Sequence, residues 1–509
     1  IGSGLGGLTA AALVADAGHR VLVLERQSTF GGAASTYHRG PLTIEASLHE
    51  TTPPDSPGDP KRELFDLLGL SDQLRFVEAP TFQEVRWKGL GEPFRLPHGL
   101  EAVQAALDAR FPAMHEQSAA LLEQIRRILR VPEFGSPDHD IWWRLLHAAE
   151  LPQDIWAAMR HIRSSLADVF SAYFGDHEAI KLALCANLSY YSDDPKQFWW
   201  LAFAMAQGSY IKSGGFYIHG GSQQLTNSLL SVIRDRDGVM LAESSATAIV
   251  LDESGAISGV RYRDQKGGAE KLVKCHTVFA NAAPHVVQTF LPEEKRAEFM
   301  TPYADRPLSI SLLSATLGLD QSAANFGVSS YSTVLVPDWL ERFNDFPETT
   351  TLFGADPGAR MPVSCVVDYT QIDSGIADGP LYPLNIVCPD RLSNWADLDE
   401  TDYQARRAAW LDALIGQLDR EWPGLAHAVQ AKTLSTAREM HHHLNTPEGA
   451  IYGFAMTPPK QFPPKPPRRT ITPIPGLWIS SAYTGFGGFT GAIGGGITAA
   501  KTALREGIA

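Results

Sequence analysis

The chain opens on Ile1-Gly2-Ser3-Gly4-Leu5-Gly6-Gly7, where Gly2, Gly4 and Gly7 have the GxGxxG spacing. The next eighteen positions give that spacing its meaning. Leu8-Thr9-Ala10-Ala11-Ala12-Leu13-Val14-Ala15 reads as a small-residue helix closed by Gly18. Arg20-Val21-Leu22-Val23-Leu24 reads as a buried parallel strand ending at Glu25. Glycine turn, helix, strand and acid in that order form a Rossmann-type βαβ unit for a dinucleotide. Gly2 permits the tight turn, Gly4 with Leu5 brings backbone to the pyrophosphate, and Gly7 allows close helix–strand packing. The helix N-terminus offers unpaired N–H groups to phosphate. Glu25 stands where a carboxylate accepts both ribose hydroxyls and repels a 2′-phosphate. Ile1 reads as the last residue of a first strand, so a few residues are expected upstream of it.

The rest of the composition is that of an ordinary globular enzyme. The chain has 509 residues, 44% hydrophobic and 20% charged, a length that suits two or three domains. A formal net charge of −14 speaks against nucleic acid as a partner. Cys185, Cys275, Cys365 and Cys388 lie far apart without metal-ligand spacing, which points to free thiols in a reducing compartment and to no metal. The longest apolar run, Phe198 to Ala206, falls short of the roughly 20 residues that span a bilayer, and no signal peptide is legible. The expected location is cytoplasmic, with membrane association open; the oligomeric state is not legible.

Arg26 follows the acid, and Gly31-Gly32-Ala33 comes shortly after. This Glu-Arg-x4-Gly-Gly arrangement resembles the second half of the nucleotide motif in glutathione-reductase-like flavoproteins, above all the amine oxidase and phytoene desaturase branch. The resemblance implies FAD, with Arg26, Gly31, Gly32 and Ala33 near the pyrophosphate and ribityl chain. It also implies a backbone pair to the adenine at Ala246, within the strand-like run Ala246–Val250. Near the end, Pro475–Ser481 reads as a strand, followed by a glycine-rich turn and a helix through Lys501. By the same resemblance Gly491, Ala492 and Ile493 face the flavin O2. Where relatives carry Gly-Asp after that strand, this chain has Ser481-Ala482, so a neutral donor or backbone must serve the ribityl hydroxyl.

Three further stretches narrow the branch. Tyr210–Leu225 resembles the GG-x-YP-x-GG segment of phytoene desaturases, carotenoid isomerases and retinol saturases. Thr446–Gly453 resembles their G-x-x-YG element, and Thr484–Ala492 is most similar to the retinol-saturase-like subgroup. The resemblance implies an apolar polyene or isoprenoid substrate and desaturation, saturation or isomerisation at flavin N5. One departure stands out. Desaturases tend to have acid-x-Gly where this chain has Glu45-Ala46-Ser47, in a stretch expected to pass the isoalloxazine. Ser47 would crowd the flavin face, and His49 and Glu50 would make it polar. His49, Glu50 and Tyr452 are the candidate proton donors.

The expected fold is α/β: a glutathione-reductase-like Rossmann FAD-binding domain with an interleaved α+β substrate domain carrying a helical insertion. The FAD domain would comprise 1–75, 212–295 and 470–509. The substrate domain would comprise 76–211 and 296–469, helical over about 100–208, with breaks near Pro132 and Pro152. Leu308–Leu312 reads as a strand, Ala405–Leu418 as a helix, and Thr457–Pro467 as a rigid linker. Aromatics crowd the helical insertion, among them Trp142, Trp156, Phe170, Tyr190, Tyr191 and Trp200. They suit a core, a substrate tunnel or a lip at a membrane interface. His441-His442-His443, read as strand, leaves only His441 and His443 on one face and no acidic partner at metal spacing. Two other functions fit the same scaffold: an amine or amino-acid oxidase, and a flavin-binding scaffold without turnover.

Overall fold

The computed structural model describes residues 1–56, 58–134, 140–461 and 470–508. Its parallel sheet is assembled from segments distant in sequence. Leu22–Leu24 pairs with Val239–Leu241, and Val278–Ala280 pairs with Leu477–Ile479, both in parallel register. Ile1 and Gly2 stitch the two pairs together: Gly2 N–H donates to Leu24 O and Asn281 N–H to Ile1 O, each at 2.8 Å. The strand end expected at Ile1 is therefore the middle of the sheet.

The first helix runs Leu5–Asp16, three residues earlier than the apolar periodicity suggests, and Gly18 ends it in the left-handed region at φ 89°. It packs on the C-terminal helix Gly488–Glu506 because both contact faces lack side chains. A Cβ on Gly6 would strike the Ser480 carbonyl, and one on Gly496 would strike Gly6 O. A three-stranded antiparallel meander, Ser244–Leu251, Ile257–Asp264 and Lys271–Lys274, flanks this sheet.

A second sheet has seven strands in the order 429–435, 311–319, 382–390, 364–368, 332–335, 83–86, 94–96. All pairs are antiparallel except Ser332–Leu335 with Gln83–Arg86. The strand expected at Leu308–Leu312 is Ser311–Leu319; Leu308 only bridges Phe454. One face buries Leu335, Val366 and Ile386 under the long helix Glu400–Glu421. The other packs Val85, Val334, Cys365 and Val367 into the core shared with the helical layer. That layer includes His115–Glu133, Leu151–Arg160, Leu166–Phe174, Glu178–Cys185 and Trp200–Ser213. Pro132 lies in the last turn of its helix. Pro152 starts a helix rather than breaking one, since a first-turn proline has no N–H to lose.

One expectation is overturned. His441–His443 lie in the last turn of the helix Ala437–Leu444, not in a strand. A capping box of Thr436 and Glu439 starts this helix, and Asn445 ends it in the left-handed conformation. In the expected linker, residues 457–461 form no helix or strand, and 462–467 lie outside the described residues.

Candidate functional site

The glycine turn and Gly31-Gly32 meet back to back. Gly4 bridges Gly31, and Gly31 N–H donates to Ser3 O at 3.2 Å and Ser3 Oγ at 3.1 Å. Gly31 and Gly32 have φ of 117° and 59°, and a Cβ on Gly32 would stand 3.2 Å from Gly4 Cα. The first helix has Gly4 at its N-cap, no capping side chain and no acid in its first turn. Its leading N–H groups, from Leu5 onward, thus meet a wall of bare backbone, a donor set that fits a pyrophosphate. Ala33, just beyond, is exposed.

Glu25 is buried and already accepts from Ser3 N–H (2.9 Å), Ser3 Oγ (2.6 Å) and Gln27 N–H (2.7 Å). Four lone-pair sites on a carboxylate leave capacity for a ribose hydroxyl. Ser244 N–H donates to Glu25 O at 2.7 Å, so the strand bearing Ala246 begins beside it. Arg26 turns elsewhere. Its guanidinium donates to the His442 and His443 carbonyls, and Gln27 Nε2 donates to His443 O at 2.6 Å. These carbonyls are the negative end of the triple-histidine helix, a suitable seat for a cation.

At the other end of the cradle, the C-terminal helix starts from Gly487 with no side-chain cap and no acid in its first turn. Gly491 lies so close to Phe486 O that no Cβ fits, Ile493 is buried, and Ser481 Oγ donates to Ala282 O at 3.3 Å. A second bare helix N-terminus suits the negative charge of a reduced flavin. Sequence reasoning missed Lys61 beside it. Lys61 is fully buried and donates to Asp59 Oδ2 (2.7 Å), Thr52 Oγ1 (2.8 Å) and, on the helix's first turn, Thr490 Oγ1 (3.2 Å). Burial pulls its pKa down while Asp59 opposes the shift.

The loop 45–50 runs between these parts. Glu45 accepts from Ser222 N–H (2.9 Å), Ser222 Oγ (2.6 Å), Thr36 Oγ1 (2.7 Å) and Leu48 N–H (3.0 Å), which makes it the anchor of the loop. Ser47 is exposed, with its N–H turned to Glu45 Oε1 at 3.3 Å. Three tyrosines then hold three consecutive carbonyls. Tyr369 donates to Leu48 O (3.2 Å), Tyr331 to His49 O (2.6 Å) and Tyr210 to Glu50 O (3.1 Å).

The side chains so presented are His49 and Glu50, with Nε2 and Oε1 3.6 Å apart and neither atom hydrogen-bonded among the described residues. The His49 ring lies 5.1 Å from Tyr190 and 5.5 Å from Tyr331. Gly215 has room for no Cβ because the Glu50 carboxyl sits against it. Burial alone pulls His49 down to about 3 and pushes Glu50 well above the usual carboxylate range. Burial thus favours the neutral form of each group, the imidazole of His49 and the carboxylic acid of Glu50. Tyr452 packs its ring 3.5 Å from the Cβ position of Gly488, at the start of the C-terminal helix, and burial raises its pKa. Tyr210 lies within electrostatic reach of both Glu50 and Tyr452, so the structure brings the three candidates into one neighbourhood.

A glycine-walled nucleotide cradle, two uncapped helix ends and a second sheet under a helical layer define a two-part dinucleotide-binding flavoprotein. Residues 5–320 match the family described as flavin containing amine oxidoreductase, and the chain belongs to it. It is an FAD-dependent oxidoreductase. Human all-trans-retinol 13,14-reductase is 24% identical over 99% of this chain and 85% of its own length. Prolycopene isomerase of Daucus carota is 22% identical over 100% of this chain and 80% of its own. A crystal structure of a Methanosarcina mazei oxidoreductase superposes with a TM-score of 0.62 at 15% identity, covering 98% of both chains, which speaks to the fold. No helix among the described residues is long and apolar enough to cross a membrane.

Proposed function

We propose that this oxidoreductase acts on a carbon–carbon double bond of a long apolar polyene, with Glu50 and His49 supplying and relaying the proton. Relatives that match nearly the whole chain are a retinol reductase and a prolycopene isomerase, which supports that substrate class. Bound FAD supplies hydride transfer at N5. The observation that carries the reading is the His49–Glu50 pair, whose facing Nε2 and Oε1 are shielded and unpartnered among the described residues, and where burial favours the carboxylic acid and the neutral imidazole. A carboxyl whose burial favours the protonated form suits addition of hydride and proton across a double bond, or protonation during isomerisation, better than plain desaturation. Tyr452 completes the polar end of the site against the start of the C-terminal helix.

We assign the cofactor to Gly2, Gly4, Leu5, Gly7, Gly31, Gly32, Ala33, Ser47, Ser481, Gly491, Ala492 and Ile493, with Glu25 on the ribose and Ala246 on the adenine. Arg26 would act by holding the triple-histidine helix beside Glu25. The FAD-holding part comprises 1–75, 212–295 and 470–509 in this reading. Anaerobic titration tests it. All-trans-retinol should perturb the flavin absorbance of the holoenzyme, and short amines should not. Rapid bleaching by putrescine with no response to retinol would make the protein an amine oxidase.

A second feature supports peripheral membrane contact at a cytoplasmic membrane face. On the helix Ile141–His147, Trp142 and Leu146 are 74% and 76% exposed, and Trp156 on the next helix is 61% exposed. Ile141, Leu145, Ile155 and Met159 extend this apolar face. A groove of about 550 Å³ beside it is lined by Pro152, Trp156, Ala157 and Tyr173 with Arg127 and Arg160 at its edge. Arg160 at the edge of this apolar face suits contact with a bilayer headgroup, while Arg127 is paired with Glu123, which also lines the groove.

A further inference from the structure

Alternate residues of the strand Gln83–Arg86 point to opposite faces of the seven-stranded sheet. Arg86 donates to Glu421 Oε1 at 2.8 Å and lies 5.3 Å from the Trp422 ring, so Glu84 and Arg86 face the long helix. Gln83 and Val85 face the other way, into the interior that the sheet shares with the helical layer and with His49. The neighbouring Phe82 lies flat on Tyr210, whose hydroxyl holds Glu50 O. Tyr331, which holds His49 O, directly precedes the strand paired with Gln83–Arg86.

In that interior the Gln83 carboxamide is alone. The residue is 1% exposed, and neither Nε2 nor Oε1 has a hydrogen-bond partner among the described residues. An unpaired buried amide loses its hydration with nothing in return, whereas a leucine or methionine would pack there without that cost. The group that satisfies it is therefore sought outside the chain. A carboxamide offers both a donor and an acceptor, which matches a hydroxyl. A carboxylate is a poor match, because it would face the amide oxygen as well as the amide N–H. The guanidinium groups of Arg86, on the same strand, and of Arg95, on its neighbour, are engaged with Glu84 on the opposite face.

We propose that Gln83 anchors a hydroxyl at one end of the polyene and so selects an alcohol over the corresponding ether or acid. This deepens the proposed function and rests on it. The same sheet face carries a second unpartnered amide oxygen, Asn385 Oδ1. The register Ser332–Val367–Asn385 places it three strands from Gln83, about 14 Å away at ordinary strand spacing. Gln83 and Asn385 thus cannot hold one hydroxyl together, and the anchor is assigned to the amide with both atoms free.

The test uses the holoenzyme and the flavin absorbance change as the binding signal. All-trans-retinol, its methyl ether and retinoic acid are titrated separately. Retinol should bind about tenfold more tightly than the ether, the worth of one good hydrogen bond. Gln83→Met should erase that preference, and with it the hydrogen bond that the amide N–H can give to either oxygen. Equal affinities in the wild type overturn the proposal, as does a preference that survives in Gln83→Met. Should that variant fail to retain flavin, Gln83→Leu takes its place, and the wild-type comparison still decides by itself. Binding of none of the three would instead remove the polyene reading on which the anchor rests.

Discussion

Replacing Glu50 by glutamine tests the protonation state on which the chemistry turns. Burial raises the Glu50 pKa well above its ordinary 4.5, with no cation to oppose the shift. Below about 4.5 the acid is protonated folded and unfolded alike. Above it, the unfolded chain releases a proton that the folded protein keeps. Stability therefore falls by about 1.4 kcal/mol per pH unit until the folded-state pKa is reached. His49 works in the opposite sense. Its pKa drops from 6.5 to about 3, so its contribution is complete above 6.5 and is lost as pH falls towards 3. Above 4.5 and below 6.5, for as long as Glu50 keeps its proton, the two slopes oppose each other in the wild type. Glu50→Gln removes one of them. Its stability should rise with pH more steeply than that of the wild type as pH climbs above 4.5. Melting temperatures of both holoproteins between about pH 4.5 and 8 provide the comparison, and other groups titrate alike in the two proteins. Parallel curves would mean that Glu50 ionises like an exposed acid, and the proton-donor role would fall with them.

Three other perturbations have defined outcomes. Glu25→Ala removes the ribose acceptor and should cost about 1.5–3 kcal/mol of FAD affinity, measured by flavin fluorescence on equilibrium dialysis; unchanged affinity would place the ribose elsewhere. Tyr331→Phe deletes the 2.6 Å hydrogen bond to His49 O and should cost about 1 kcal/mol of stability. Its turnover should fall with flavin content intact, and full activity would show that the loop needs no such tether. Leu146→Glu puts a charge on the most exposed apolar helix face and should weaken co-sedimentation with anionic vesicles while amide exchange elsewhere is unaltered. Equal sedimentation of variant and wild type would exclude that face as the contact.

The nucleotide site was legible because its parts are local. Gly2 to Glu25 is one contiguous βαβ unit, and each glycine has a steric reason that sequence spacing exposes. The placement of His49 and Glu50 was not legible beyond their presence in a suspect loop. The hydroxyls that hold their backbone come from residues 160, 282 and 321 positions away, a pairing no local pattern announces. Glu45 lay in between. Its motif was visible, but its partner Ser222 is 177 residues distant, and only contact reveals an anchor. The triple histidine was misread for a different reason. Its helix is signalled instead by Thr436-x-x-Glu439, a capping box just upstream of the run. The aromatic insertion divided between uses: Trp200 and Phe170 are core, Tyr190 faces His49, and Trp142 and Trp156 face solvent.

The arrangement around Glu50 also explains what is missing from it. Tyr331 and Tyr369 flank strands of the seven-stranded sheet, Tyr210 belongs to the helical layer, and the loop they hold is anchored through Glu45 to the segment before Gln223. All these tethers grip backbone, by hydroxyls, and none delivers a positive charge to the carboxyl. An arginine in place of any of them would bind the loop more tightly, since charged hydrogen bonds are the stronger ones. It would also draw the proton off Glu50 by stabilising the carboxylate. Neutral donors on carbonyl oxygens position the acid while leaving its proton in place. Gly215 serves the same end by steric means, for a side chain there would displace the Glu50 carboxyl. A tether strong enough to hold the loop and neutral enough to spare the proton has few chemical solutions, and the tyrosine hydroxyl is one of them.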